Sequence, residues 1–106
     1  MQVGGRAYEL IFPEDYHGQW EEECRYKGWL SGVQVRLGQA EVYAITFVDK
    51  HRLAQMFDDQ IAAGLNYLAE PALLIVAEVT RKNMEAAVEG LIKDHYFESL
   101  RPSALP

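Results

Sequence analysis

Three histidines, one cysteine and a surplus of carboxylates are the residues of this 106-residue chain with the means to do chemistry. His17, His51 and His95 lie on three separate segments. Zinc-binding sequences space their ligands a few residues apart, so that one helix or loop brings two of them to the same ion. No such pairing occurs here, and the histidines read as ordinary surface or boundary residues. Cys24 would need its thiolate to act as a nucleophile. It follows Glu21-Glu22-Glu23, whose charge disfavours that form, so it reads as a structural thiol. The neighbours Glu14-Asp15 and Asp58-Asp59 could serve acid–base or metal chemistry only through tertiary convergence, since adjacent helical side chains point about 100° apart. Gly28, Gly32 and Gly38 form no phosphate-cradling loop ahead of a helix, so no cofactor is expected. These residue types assign no catalytic, cofactor or metal site.

Charge says more than motif. The net charge is −6, and residues 1–24 hold six carboxylates against Arg6 alone. Such a segment repels phosphate, so no nucleic-acid partner is expected. It could dock on a basic protein instead, through Glu21, Glu22 and Glu23 beside Trp20. Apolar residues at 49% and charged residues at 25% are ordinary for a globular domain. A single cysteine leaves no internal disulfide and suits a reducing compartment. The longest apolar run, 72–77, is far short of the ~20 residues of a spanning helix, and residues 1–6 lack the apolar stretch of a signal peptide. The expectation is a cytoplasmic protein without a membrane partner.

The elements that position these residues follow from periodicity. Residues 7–12 alternate as a strand that Pro13 stops. Residues 14–28 are read as a loop becoming an irregular strand with Gly28 as a bend, although Trp20 and Cys24 also fit one helical face. Val33, Val35 and Leu37 alternate with polar neighbours, and Gly38-Gln39 suits a two-residue hairpin turn. That turn would set Leu37 opposite Ala40, Val35 opposite Val42 and Val33 opposite Ala44, with Arg36 facing Glu41 across the reverse side. Asp49 is placed to cap a helix with the stripe Leu53, Met56, Phe57 and Ile61, which Gly64 ends. The run 72–79 is apolar on both parities and predicts a central strand covered on both faces. Thr80 caps a last helix with Met84, Val88, Leu91 and Ile92 inward. Gly90 within it is either tolerated or there to let the helix approach the sheet closely.

The fold expected is a single α+β domain over residues 1–106, with 101–106 a frayed tail. A mixed, mostly antiparallel sheet of about four strands carries two helices on one face, in the order β-β-β-α-β-α. The helix between strands 40–48 and 72–79 requires that these two run parallel.

In that register Tyr43, Ile45 and Phe47, with Leu30 across the hairpin, form an apolar face turned away from the helices. It needs a cover: the segment 13–28 with Trp20, a second copy of the chain, or a ligand. The leading expectation is a protein-interaction or regulatory domain without catalysis. It would contact a protein partner or itself, as a homodimer, through Leu30, Tyr43, Ile45, Phe47, Trp20, Glu21, Glu22 and Glu23. Size and acidity alone compare it with small inhibitor or immunity proteins. The runner-up is a small-molecule-binding domain or small enzyme. Its pocket would lie between the sheet and residues 13–28, lined by Tyr16, His17, Trp20, Tyr43 and Phe47.

Overall fold

Apolar alternation on two long neighbouring strands sets the architecture. The computed structural model describes the backbone of residues 2, 3, 6–38 and 40–100, with side chains from residue 8 onward. Its elements are β1 (Gln2–Val3), β2 (Arg6–Ile11), α1 (Gly18–Lys27), β3 (Trp29–Leu37), β4 (Glu41–Val48), α2 (Lys50–Ala62), β5 (Leu73–Ile75) and α3 (Arg81–Lys93), then a 3-10 turn at Tyr96–Ser99. The sheet runs β2-β3-β4-β5 in space, with the two-residue β1 added beside β2. The β2–β3 and β3–β4 pairs are antiparallel and β4–β5 is parallel, so the expected α+β class and mixed sheet are met. The tail 101–106 and Gln39 lie outside the described residues.

From Val33 to Leu37 the hairpin register differs by one position from the expectation, while Leu30 lies opposite Phe47 as expected. Leu37 pairs with Glu41, Val35 with Tyr43 and Val33 with Ile45, because the connection spans 38–40 rather than 38–39. Gly38 enters it at φ +65°, in the left-handed region. The physical reason is burial. One extra loop residue brings Val33, Val35 and Leu37 onto the same face as Tyr43, Ile45 and Phe47, and all six are buried. Each such side chain gains roughly 1.5–3 kcal/mol, against ~0.2–1 kcal/mol for the Arg36–Glu41 pair that is given up. Arg36 lies instead 3.5 Å from Glu9, and Glu41 accepts a 2.6 Å bond from the Tyr43 hydroxyl.

Residues 18–27 form a helix, not the irregular strand expected. A strand would put Cys24 and Tyr26 on one side, but Cys24 is buried and Tyr26 is 91% exposed. The helix ends at Gly28, whose φ of +71° a residue with a Cβ adopts only under strain. The bulge falls later, between Leu30 and Val33, where the β3–β4 register shifts. The expected pair of helices on one face, 49–64 with 80–94, is corrected: three helices form among the described residues, and α1 joins α3 on that face, where Cys24, Met84, Val88 and Ile92 share one core with Tyr43, Phe47 and Leu74. The helix α2 stands over the opposite face. Arg52 lies over the Trp29 ring at 5.6 Å, and Leu53 and Phe57 share a cleft with Leu73 and Ile75, which alternate with inward-facing Leu74.

Both caps form as expected. Asp49 Oδ1 accepts from the Arg52 amide at 2.8 Å, and Thr80 Oγ1 from the Asn83 amide at 3.2 Å. The strand at 72–79 is corrected. Only Leu73–Ile75 form a strand, and it is the outermost of the sheet rather than central. The apolar run continues as a turn whose Val76 and Val79 are buried. No helix among the described residues is long and apolar enough to cross a membrane.

Candidate functional site

The aromatic face expected to meet a partner is the interior of the protein. Leu30, Tyr43, Ile45 and Phe47 are at most 4% exposed, covered by α3, the 3-10 turn and α1. The Tyr43 ring packs on Phe97 with centroids 5.3 Å apart. Burial under these segments removes the four from the surface of the folded chain.

The acidic residues of α1 are drawn into a latch between helices. Glu21 lies 3.3 Å from Arg81, and Glu22 2.7 Å from Arg25, which also reaches Glu78 at 3.3 Å. Arg81 donates to the Tyr16 carbonyl at 3.2 Å and stacks over Phe12 at 4.5 Å and Tyr16 at 5.0 Å. Exposed pairs of this kind contribute ~0–1 kcal/mol each, so the latch orients α1 more than it stabilises the fold. Glu23 is half-buried, and Trp20 is half-buried under Lys27, whose Nζ lies 5.2 Å from the ring centroid. A cleft of about 230 Å³ opens here between Tyr16, Glu21, Arg25 and Arg81. Of the expected pocket lining only Tyr16 borders it. Tyr43 and Phe47 are in the core, and His17 and Trp20 are not among its walls. Both guanidinium groups already have carboxylate partners, so the cleft offers no spare cation.

Burial pushes the Cys24 thiol up, and the carboxylates of Asp15, Glu23 and Glu21 add to the effect while Lys27 opposes it. Burial likewise pushes the Tyr16 phenol up to about 12, with Glu21 adding to it. Among the described residues no group of three or more His, Cys, Asp or Glu side chains could hold a metal ion.

The surface that stands out is at the other end of the sheet. The predicted stripe of α2 forms, but none of its residues is buried: Leu53 and Met56 are half-buried, and Phe57 and Ile61 are 40% and 54% exposed. Beyond the helix, Leu65 and Tyr67 are also exposed, as is Ile75 of β5 at 57%. Leu53, Phe57, Tyr67, Leu68, Leu73 and Ile75 line a cleft of about 810 Å³ between α2, the segment 65–71 and β5. A second cleft of about 480 Å³ lies on the α3 side of the same strand, bordered by Leu73, Ile75, Ala87, Gly90, Leu91 and Tyr96. Gly90 does not serve close packing. A Cβ there would meet nothing within 4 Å, so the missing side chain leaves the cleft open.

Between the clefts runs the edge of β5 that no strand of the described residues pairs. The Ala72 carbonyl accepts from the Thr46 amide at 3.1 Å, and the Val76 amide donates to the Val48 carbonyl at 2.9 Å. Successive backbone groups of a strand alternate in direction, so Leu73 and Ile75 aim their N–H and C=O groups away from β4. Natural edges are usually blunted by charge, but this strand is Leu-Leu-Ile, with Pro71 two residues before it. The charge around it is one-sided. Residues 53–80 hold Asp58, Asp59, Glu70 and Glu78 and no Lys, Arg or His, and the charged residues lining the two clefts are Glu70 and Asp94. The α2 stripe and this cation-free stretch were both readable signals. What hid them was taking 72–79 for a central strand.

Comparison with family models, with curated proteins and with solved structures returns no match, so the case for function rests on the geometry of this chain.

Proposed function

We propose that the chain is a protein-interaction domain that binds a partner at the α2–β5 end of its sheet. One observation carries the reading: Phe57, Tyr67 and Ile75 stay exposed on the walls of an apolar cleft, and Ile61 and Leu65 of α2 and the segment after it are exposed as well. A contiguous apolar patch is costly to leave in water, and on soluble proteins such patches mark contact sites. Aromatic side chains like those of Phe57 and Tyr67 contribute most at interface centres. The rest of the molecule supports a binding role over a catalytic one, because its one thiol is buried and held protonated and both arginines of its smaller cleft are already paired with carboxylates.

The test is selection from a random-peptide display library on the wild-type protein, with counter-selection on the double variant Phe57→Asp, Tyr67→Asp. Both positions are exposed, so the variant should fold. Binders that enrich on the wild type and are lost on the variant are expected. Enrichment that does not distinguish the two proteins would refute the reading.

A further inference from the structure

Resting on that reading, we infer that the ligand of this end is an extended, apolar segment of a partner protein with Lys or Arg at its flanks, added as a strand along β5. The backbone groups of Leu73 and Ile75 that turn away from β4 supply the donors and acceptors for an incoming strand. Side chains of an added strand alternate between the two faces of the sheet. Here each face offers a hollow at that edge: about 810 Å³ under α2 and about 480 Å³ beside α3, with Leu73 and Ile75 common to both. Gly90 keeps the α3 hollow empty, which gives its helix-weakening presence a purpose.

Charge selects the occupant. Glu70 and Asp94 border the hollows, no Lys, Arg or His is among the residues lining either, and Asp58 and Asp59 lie on the adjoining helix in a stretch, 53–80, that carries no cation. A second copy of the chain would bring the same carboxylates against one another, at a repulsive cost. A strand flanked by Lys or Arg turns them into attractions and speeds encounter.

The probe is a fluorescent peptide of alternating valine and leucine with two lysines at each end, compared with the same core flanked by glutamates. Its binding to the full chain is followed by fluorescence anisotropy and by the amide resonances of residues 73–76 and 87–91. The lysine-flanked peptide should bind roughly tenfold or more tightly than the glutamate-flanked one at low salt. That advantage should shrink toward ~1 M salt, where the screening length falls to about 3 Å. Ile75→Pro removes an outward N–H without touching a bond to β4, and Gly90→Leu fills the α3 hollow with a better helix former. Each should cost the lysine-flanked peptide at least roughly tenfold in affinity. Gly90→Leu carries the test alone if Ile75→Pro does not fold.

Equal affinity for the two peptides, or wild-type affinity in Gly90→Leu, would overturn the inference. So would resonances of residues 73–76 that shift with protein concentration in the absence of peptide, because the occupant would then be a second copy. Display-selected binders that need Phe57 and Tyr67 but ignore both Ile75→Pro and Gly90→Leu would sink strand addition and leave the interaction domain standing.

Discussion

Gly28 and Asp49 meet where α1 ends and α2 begins, and their coupling can be measured. Gly28 closes α1 at φ +71°, its amide donating to the Cys24 carbonyl at 2.9 Å. Its own carbonyl accepts from the Asp49 amide at 2.9 Å, and a Cβ at position 28 would overlap the Asp49 carboxylate. That carboxylate is the cap of α2. Gly28→Ala therefore acts twice: it strains the left-handed residue by ~1–2 kcal/mol, and it evicts the cap, worth ~1 kcal/mol. The sum is about 2–3 kcal/mol. Asp49→Ala alone should cost ~1 kcal/mol. In the double variant no carboxylate remains to evict, so the total should stay near 2–3 kcal/mol, about 1 kcal/mol less than additivity predicts. Urea unfolding reads this directly. With a slope of roughly 1–3 kcal/mol per molar, Gly28→Ala should lower the midpoint by about 0.7–3 M. Amide exchange should quicken in the first turn of α2 in all three variants. Costs that add to within ~0.3 kcal/mol, or a Gly28→Ala protein as stable as wild type, would refute the reasoning.

Phe47 is 0% exposed, so Phe47→Ala should cost ~3–5 kcal/mol, and Phe47→Asp should unfold the domain by circular dichroism. A folded Phe47→Asp protein with altered oligomeric state would restore the contact patch that burial argues away. Cys24, buried and held protonated, should react with a thiol reagent on the order of 100-fold more slowly in the native protein than in urea, and reaction at the free-thiol rate would contradict its placement. The Tyr8 phenol, buried and donating to Glu89 at 2.9 Å, is pushed up to about 12, as is that of Tyr16. A phenol whose folded value exceeds its unfolded value near 10 contributes stability that is complete below about pH 10 and is lost as pH rises through about 12. Tyrosinate absorbance should show a late step that Tyr8→Phe diminishes. An unchanged titration curve in that variant would count against the assignment.

Local chemistry was legible residue by residue. Asp49 and Thr80 announce helix starts because a short oxygen-bearing side chain can reach the amides of the next turn, and both do. The α3 stripe of Met84, Val88 and Ile92 packs inward as its spacing requires, and β4 and β5 run parallel as a connecting helix demands. These rest on interactions within a few residues or on chain handedness, which travel with the sequence. Three other features were settled by distant parts of the chain. The hairpin accepts a third loop residue because six apolar side chains then share one core, a gain summed over two strands and three helical segments. The strand β5 lies at the edge because the described residues after it form α3 and a 3-10 turn rather than a strand, although its composition suits an interior place. The candidate site belongs to this second kind. The apolarity of α2 and β5 is written in their residues, but whether it is buried or offered to a partner depends on what the fold lays over it. Burial is a property of the whole packing, and at this end the packing leaves it open.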